Sequence, residues 1–576
     1  MKKNYLSVGV LLLSSSITLF SCGSNTTSEN QTKYIDADPI LIDGFNTQLL
    51  PVKDKILRRQ GNINICLEFD GTEEAYQSVA DEYERLHGNS VNVNIKQYTG
   101  LYSDYITNQM NTLDIVQGNY INNIENYCLN MYQYIYKENP YAGKNSDDEI
   151  NYWGDVLTEE AYISSKSATN ATYILNSENL QTAWFVNKDA LKEAANYGYN
   201  VKDSNNEITT PTTWDELILL CEAMYNAGYT HPLGISLNDE SIDSIQFTWL
   251  LRVYGDYYYR NEYKNIVTND GYVYDPLDKN PETDGDWSIK DTVFYNSLLD
   301  DRLGDDRPYI QGSQKKTNYV GATSGKYKEF LEQLQKMRKY ISSDASQTNY
   351  SLNNLRNYFA YQTRGKDNSP QIILDYAGEG LLFAKSDKID YDFFDYPKMI
   401  SSNGYIDENS IIRDVGGNGG YLSIIKNGKS NEQVNLSLDF LMFLMSPYGQ
   451  TIYYNALSKT NFAPKGLTTV INDYVLVPSE WESFFKTDKI SFNGLVDENP
   501  YVRSYLRGIG GMSETKDALK NLMRGLLTDT GKDEKSVSEV QSEWQKAYLE
   551  AWNNYCDKVG YNKESYKKPG SDVTGK

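Results

Sequence analysis

Hydrophobic and polar residues alternate with a period of two in several short stretches of the chain, and helical patterns lie between these stretches. Residues 62–69 and 91–95 alternate in this way, and residues 113–116 form a short apolar run. Between the first two, apolar side chains recur every three or four residues over 76–86. Period two predicts strands and the longer spacing predicts a helix. The order strand, helix, strand favours a parallel α/β sheet.

The same succession of strands and helices continues further along the chain. Thr213 and Glu216 have the spacing of a capping box at a helix start, and Ser430 and Gln433 repeat it. Asn187 is predicted to cap another helix. Further strands are predicted at 183–186, 371–374 and 421–425, and further helices at 188–196, from 214, at 326–341, from 431 and at 537–556.

The first 22 residues predict export and lipid attachment. Lys2 and Lys3 precede an apolar stretch over 6–20, and Cys22 follows. A run of about 15 apolar residues fits a signal peptide and is too short for a membrane-spanning helix. Cys22 is therefore predicted to become the lipidated N-terminus of the mature chain; a buried helix that ends in an ordinary thiol is the alternative. Residues 23–60, rich in Ser, Asn, Thr and Asp, predict a flexible tether.

Composition narrows the possible partners. The chain has 576 residues and a formal charge of −23, from 78 acidic and 55 basic residues, so it repels phosphate backbones and nucleic acid is not expected as a partner. A mean hydropathy of −0.60 argues against a polytopic membrane protein. The 50 tyrosines and 8 tryptophans supply rings for the core, the surface and ligand stacking alike.

Motifs for catalysis or metal binding are weak. The four cysteines other than Cys22 have no zinc spacing and are predicted to be buried free thiols. The only two histidines, His87 and His231, lie in no catalytic or zinc motif and are predicted to be surface or loop residues. Residues 280–291 approximate a calcium-binding loop, but Pro281 and the terminal aspartate favour a solvated acidic loop. We therefore expect no metal and no cofactor.

Several motifs occur in an order that matches one family. Residues 184–191 are Trp-Phe-Val-Asn-Lys-Asp-Ala-Leu, residues 211–217 are Pro-Thr-Thr-Trp-Asp-Glu-Leu, and two glycines at 416–417 precede Ile-Lys-Asn-Gly-Lys-Ser at 425–430. With the export signal and the run at 113–116, this order resembles the extracellular solute-binding proteins of ABC importers. The carbohydrate-binding branch, which includes maltose-binding protein, is the most similar. The resemblance spans roughly 60–470, and the stretches 121–172 and 254–325 look like insertions.

The resemblance implies a two-lobed α/β fold of the periplasmic-binding-protein type. Each lobe is expected to be a mostly parallel sheet flanked by helices, and a hinge of several segments is expected to join the lobes. Ligand is caught in the cleft between the lobes. Crossings are expected at 173–181 and 411–417. The expected boundaries are lobe 1 at 61–176 and 416–466, lobe 2 at 177–415 and 467–560, and a tail at 561–576.

Binding a sugar requires flat apolar faces for its C–H groups and planar polar groups for its hydroxyls. Aromatic and polar residues occur together at several predicted strand ends, and the segment 246–249 resembles a cleft segment of the family. Core packing is the alternative for each aromatic residue on its own. The candidate ligand-binding residues, two of them from the matching motifs themselves, are Asp70, Asn119, Tyr120, Trp184, Gln246, Trp249, Asp375, Tyr376 and Gly417.

The function implied by the resemblance is capture of a sugar or oligosaccharide and its delivery to the membrane subunits of an ABC importer, without chemistry. The protein is expected to be a monomer, anchored by lipid at the outer face of the cell membrane, or on the periplasmic side in a Gram-negative cell. A glycan-degrading enzyme, a SusD-like glycan-binding lipoprotein and a non-sugar ligand in the same fold remain alternatives. A SusD-like protein would be dominated by helical repeats, which the alternation of strands and helices disfavours.

Overall fold

Two four-stranded sheets organise the chain. The computed structural model describes residues 56–490 and 513–559, except for 69–70, 101, 122, 145, 159–160, 162–170, 239–244, 269–307, 312–313, 318–321, 366, 387, 407–408, 415–417, 472–474 and 529–533. The predicted signal peptide with Cys22, the acidic loop at 280–291 and the tail at 561–576 lie outside these residues. The predicted α/β class is confirmed.

The elements follow one another along the chain as named here. The strands are β1 (Gly61–Glu68), β2 (Val91–Tyr98), β3 (Ile115–Gln117), β4 (Glu178–Asn179), β5 (Thr182–Asn187), β6 (Leu233–Gly234), β7 (Pro308–Gln311), β8 (Gln314–Thr317), β9 (Ile372–Tyr376), β10 (Tyr391–Phe394), β11 (Asn418–Gly419) and β12 (Leu422–Ile424). The helices are α1 (Glu73–Leu86), α2 (Tyr102–Gln109), α3 (Ile124–Tyr127), α4 (Tyr132–Ile135), α5 (Trp153–Val156), α6 (Lys188–Ala194), α7 (Trp214–Asn226), α8 (Ile245–Thr268), α9 (Gly325–Gln335), α10 (Leu352–Tyr361), α11 (Glu379–Lys385), α12 (Asn431–Leu444), α13 (Pro447–Leu457), α14 (Glu482–Phe485), α15 (Ser513–Leu527) and α16 (Val537–Val559).

The first sheet has the order β12-β3-β1-β2 and is the centre of the first lobe. β1 pairs in parallel with both β2 and β3, and β12 pairs antiparallel with β3. The apolar side of α1, which includes Tyr76, Val79 and Tyr83, is buried beside this sheet. Burying each such side chain contributes roughly 1.5–3 kcal/mol. The predicted strand, helix, strand order and its parallel pairing are confirmed here.

The second sheet has the order β10-β5-β9-β6 and is the centre of the second lobe. β5 pairs antiparallel with both β9 and β10, and only β6 pairs in parallel with β9. The prediction of a mostly parallel sheet is therefore wrong for this lobe. The strand at 183–186 is buried at every position. A continuous apolar run of this kind predicts a strand but carries no information about the direction of its neighbours.

Two large hydrophobic cores lie on opposite faces of the second sheet. Trp184 and Val186 face one core, which also contains side chains of α6, α7, α9, α15 and α16. Ala183 and Phe185 face the other core, which continues into the first lobe. Successive residues of a strand point to opposite faces, so β5 serves both cores. One of the two cores therefore contains side chains of both lobes.

Two segments of the described chain lead from one four-stranded sheet to the other, and they pair with each other. β4 pairs with β11, so Asn179 is opposite Asn418. Next to this ladder, buried Asp414 accepts hydrogen bonds from the backbone N–H of Thr182 at 2.7 Å and from its hydroxyl at 2.6 Å. A third stretch, the junction segment (461–467), lies against the first crossing, because the N–H of Leu467 donates to Gln181 Oε1 at 2.7 Å.

Packing begins before the predicted end of the tether at residue 60. Ile56 is only 1% exposed, and Arg59 forms an ion pair with Asp439 at 2.6 Å. His87, predicted to be a surface or loop residue, is fully buried nearby. Its Nδ1 accepts from the Arg59 N–H, so the neutral ring donates from Nε2 to Tyr141. Burial lowers the pKa of His87 to about 4.

Other expectations concern cysteines and membrane crossing. Cys66, Cys128 and Cys221 are buried free thiols, as predicted. Within the part of the chain that the structure describes, no helix combines the length and apolar character that membrane crossing requires.

Candidate ligand-binding pocket at the lobe junction

A pocket of about 550 Å³ opens where the end of β9 meets α10, α11 and the junction segment. This volume lies in the range of pockets that bind small molecules. The lining residues are Asn353, Arg356, Asn357, Ala360, Tyr361, Tyr376, Glu379, Leu382, Phe383, Asn461, Phe462, Ala463 and Lys465.

One side of α10 forms a wall of the pocket. Ser351 caps this helix by accepting from the N–H of Asn354. The lining positions 353, 356, 357, 360 and 361 are spaced by three and four residues, so they share one face of the helix. The wall therefore combines two amides, a guanidinium and the ring of Tyr361, which is 54% exposed.

The loop between β9 and α11 passes very close to the junction segment. A Cβ atom at Gly378 would collide with the backbone carbonyl of Pro464. Glycine at this position therefore allows Tyr376 and Glu379, on either side of it, to reach the pocket opposite Phe462 and Lys465.

Phe462 brings the first lobe to the edge of the pocket. Its ring lies against Gly71, which follows β1, so closely that a side chain at Gly71 would overlap it. Gly71 also has a φ of +85°, a conformation that favours glycine. Because Phe462 remains 40% exposed on its other side, it is available to stack on a ligand.

The ring of Tyr376 is held from behind. Trp249 packs against it edge to face with ring centres 4.9 Å apart, and the guanidinium carbon of Arg356 lies 5.9 Å from its centre. Burial raises the pKa of Tyr376 to about 12, so its hydroxyl stays protonated and can donate or accept at neutral pH.

A charged cluster lies beside this ring. Arg356 donates from Nε to Asp375 Oδ2 at 2.7 Å and from Nη2 to Asp375 Oδ1 at 2.8 Å. The same Nη2 lies 3.3 Å from Glu379 Oε1. Burial, and then the charge of Asp375, raise the pKa of Glu379 to about 7, although Arg356 opposes the shift.

The predicted residues around Tyr376 are brought together, but most of them support the pocket rather than line it. Tyr376 itself lines the pocket. Asp375 is fully buried and orients Arg356, and Trp249 is 3% exposed behind the ring. Gln246 is also buried: its side chain accepts from the Ser236 N–H at 2.8 Å and donates to the Leu374 carbonyl at 2.7 Å. It therefore joins α8 to β9.

The prediction that Trp184 binds the ligand is wrong. Its side chain is fully buried in the second lobe, where it contacts Phe394 and Tyr396, because β5 is covered on both faces. It cannot contact a ligand in this arrangement.

The candidates on the first lobe are only partly described. Tyr120 lies at the end of β3, where its hydroxyl donates to Glu68 and its ring packs on Tyr102, and it is not among the residues that line the pocket. Asn119 lies in the turn Gly118–Tyr120, and its side chain is outside what the structure describes, as are Asp70 and Gly417.

Five lining residues that carry a charge or an exposed ring were missed by the sequence analysis. The spacing of polar residues along 353–361 was a usable signal for a functional helix face. No pattern in the sequence, however, connects this helix with the junction segment about a hundred residues later. The missed residues are Arg356, Tyr361, Glu379, Phe462 and Lys465.

The pocket offers rings beside amides and charged groups, a combination that suits a ligand with many hydroxyls. Among the described residues, Glu379 is the only carboxylate that lines it. No group of three or more histidines, cysteines or carboxylates in the described chain is placed to hold a metal ion.

No protein-family model and no curated protein matches the sequence. Among solved structures, the chain is similar to the binding protein MsmE of Bacillus subtilis in an open conformation, with 13% identity, a TM-score of 0.49, and coverage of 86% of this chain and 98% of that one. It is also similar to a family 1 extracellular solute-binding protein from Bifidobacterium longum subsp. infantis, with 13% identity, a TM-score of 0.46, and coverage of 85% and 100%. Maltose-bound MalE3 of T. maritima gives 13% identity, a TM-score of 0.48, and coverage of 85% and 99%.

The second of these structures is an extracellular solute-binding protein, the class that the sequence motifs resemble.

Proposed function

We propose that the chain is a solute-binding protein that captures a sugar or oligosaccharide in this pocket and delivers it to the membrane subunits of an ABC importer. The observation that carries the proposal is the pocket at the lobe junction, where Tyr361, Tyr376 and Phe462 present rings beside amides and charged groups. The protein would be a monomer, and lipid on Cys22 would hold it at the outer face of the membrane.

Each group in the pocket has a distinct part in binding. The rings take the C–H faces of the sugar, and the amides of Asn353, Asn357 and Asn461 pair with its hydroxyls in both directions, since an amide both donates and accepts. Asp375 orients Arg356 without touching the ligand. No bond of the ligand is broken.

The same geometry supports closure of the first lobe over the pocket. Most of the lining comes from the second lobe, whereas Phe462 contacts both the pocket and Gly71 of the first lobe. A ligand stacked on Phe462 would therefore favour the arrangement in which the first lobe covers it.

A glycan-degrading enzyme is the competing function. Such enzymes use two carboxylates on either side of the bond that is cleaved. Of the carboxylates in the described cluster, only Glu379 lines the pocket, because Asp375 is buried and bonded twice to Arg356. A SusD-like fold is also disfavoured, since two sheets rather than helical repeats organise the chain.

Ligand-induced stabilisation and product analysis separate these functions. The exported chain is incubated with maltotriose, mannotriose, raffinose or chitotriose while its melting temperature is followed. A sugar that binds only the folded state stabilises it by about 2.7 kcal/mol at a hundred times its Kd, and we expect this effect for at least one sugar, without any product. Product formation would indicate an enzyme. If none of the four sugars raised the melting temperature, the proposal of sugar capture would be overturned.

Replacement of one ring tests the location of the site. We expect Phe462→Ala to weaken binding of that sugar at least about tenfold, because burying a phenylalanine side chain contributes roughly 1.5–3 kcal/mol. Tyr136→Ala is the matched control, since Tyr136 is 55% exposed and does not line the pocket. Equal affinities for both variants would place the site elsewhere.

A further inference from the structure

Glu379 is the one carboxylate that faces the pocket among the described residues. It is the first residue of α11, and its side chain is 14% exposed, so it is largely removed from solvent yet accessible from the pocket. Its ion pair with Arg356, at 3.3 Å, is shared, because Arg356 also makes two shorter bonds to Asp375.

The neighbouring elements place two cationic side chains, Arg356 and Lys465, near the two carboxylates Asp375 and Glu379. α10 contributes Arg356 and the uncharged ring of Tyr361, and β9 contributes Asp375 and the protonated Tyr376. The junction segment contributes Lys465, whose backbone N–H donates to Glu178 on the first crossing. From β10, the hydroxyl of Tyr391 donates to the carbonyl of Gly380, the residue after Glu379. Arg356 thus stands between two carboxylates, and only one of them is turned to the ligand.

We propose that Glu379 sets the charge selectivity of the pocket: once Glu379 is ionised, sugars that carry a carboxylate bind less tightly relative to neutral sugars. This inference rests on the proposed sugar-binding function. A protonated Glu379 donates a hydrogen bond to a hydroxyl or to a carboxylate, whereas an ionised Glu379 still accepts from a hydroxyl but repels a second carboxylate.

The change in the charge of Glu379 occurs near neutral pH. Burial and the charge of Asp375 raise the pKa of Glu379 to about 7, so most molecules carry a protonated Glu379 at pH 6 and an ionised one at pH 8. Two like charges a few ångströms apart in a partly desolvated site repel strongly enough to change affinity by about tenfold or more.

The test compares two ligands at two pH values. The neutral ligand is whichever of maltotriose, mannotriose, raffinose and chitotriose binds most tightly, and the anionic probe is the same sugar with one primary alcohol oxidised to a carboxylate. We expect the ratio of the anionic Kd to the neutral Kd to rise about tenfold from pH 6 to pH 8. In Glu379→Gln, which keeps the shape without the charge, the ratio should stay constant.

Glu332→Gln is the matched control. Glu332 lies on α9 in an exposed pair with Lys328 and does not line the pocket, so its ratio should rise as in the unmodified chain. A flat ratio in the unmodified chain, or a rise that persists in Glu379→Gln, overturns the inference. If a neutral sugar binds and the ratio is flat, only this inference fails; if no neutral sugar binds, the proposed function fails and the inference fails with it.

A second measurement needs no ligand. The unfolded carboxyl ionises near its ordinary pKa of 4.5, whereas the folded one keeps its proton to about 7. The folded state therefore binds more protons between these values, and stability from this group falls as pH rises through the window. Relative to Glu379→Gln, the melting temperature of the unmodified chain should fall between pH 5 and pH 8 by on the order of 2 °C. A constant difference would overturn the inference.

Discussion

At the residue scale, the ring of Tyr376 at the pocket is positioned by the residues packed around it. Tyr376 is packed by Trp249 and Arg356, and its own backbone N–H donates to Asp375 at 2.7 Å. Asp375 in turn holds Arg356 through two bonds. Three residues of this set have aromatic or carboxylate side chains typical of a sugar site, although only some of them are open to the pocket. Residue type and position at a strand end therefore pointed to residues that lie close together, but not to which of them line the pocket.

Gly71 gives a test of the contact between the lobes. In Gly71→Ala the new Cβ overlaps the ring of Phe462 and the residue must also hold a φ of +85°, so we expect a loss of roughly 1–3 kcal/mol in stability and weaker sugar binding. Gly198→Ala is the control: its φ is +107° but nothing lies within 4 Å of the added Cβ. Thermal unfolding and sugar affinity are measured for both.

The steric part of this effect should be reversible. Adding Phe462→Ala to Gly71→Ala removes the ring that the new Cβ meets, so the double variant should recover stability relative to the sum of the two single variants. Strict additivity would show that Gly71 and Phe462 do not touch.

At the element scale, the helix starts follow capping rules that can be recognised from the sequence alone. Thr213 accepts from the N–H of Glu216 at 3.3 Å, and the carboxylate of Glu216 accepts from the N–H of Thr213 at 2.9 Å, which is the predicted capping box. Ser430 accepts from Gln433 and Asn187 from Asp189, as predicted for two further helices. These contacts span two or three residues, so no tertiary information is needed to predict them.

The cap of α7 provides an element-scale prediction. Thr213→Ala removes the hydroxyl that accepts from the first turn and should cost about 1 kcal/mol, with faster hydrogen exchange at the amides of 214–217. Thr213→Ser keeps the hydroxyl and should leave exchange nearly unchanged. Equal exchange in the alanine and serine variants would contradict the role of this cap.

At the scale of the whole molecule, the connections between the lobes decide where the pocket forms. The β4–β11 ladder and the Asp414–Thr182 bonds fix the crossings, and the junction segment lies against them. Phe462 and Lys465 belong to this segment, and α10 and β9 belong to the second lobe. The pocket exists only because these parts, about a hundred residues apart in sequence, meet at one edge of the second sheet.

Closure is the prediction at this scale. A saturating sugar should lower the radius of gyration in small-angle X-ray scattering, because the ligand favours the state in which the first lobe covers the pocket. Phe462→Ala at the same sugar concentration should show little change. An unchanged radius in the unmodified chain, with binding confirmed by calorimetry, would mean that capture occurs without closure.

The sequence by itself determined the α/β class, the first strand–helix–strand unit, the helix caps and the buried thiols, because periodicity and caps act over a few neighbouring residues. It also singled out Tyr376, Asp375 and Trp249 as candidates, and the fold brings these three residues close together. Only the tertiary structure decided the antiparallel pairing of the second sheet, the burial of Trp184 and His87, and the meeting of Arg356, Glu379 and Phe462 in one pocket. Those outcomes depend on which distant surfaces pack together, and the type of an apolar or aromatic residue does not specify which residues will pack against it.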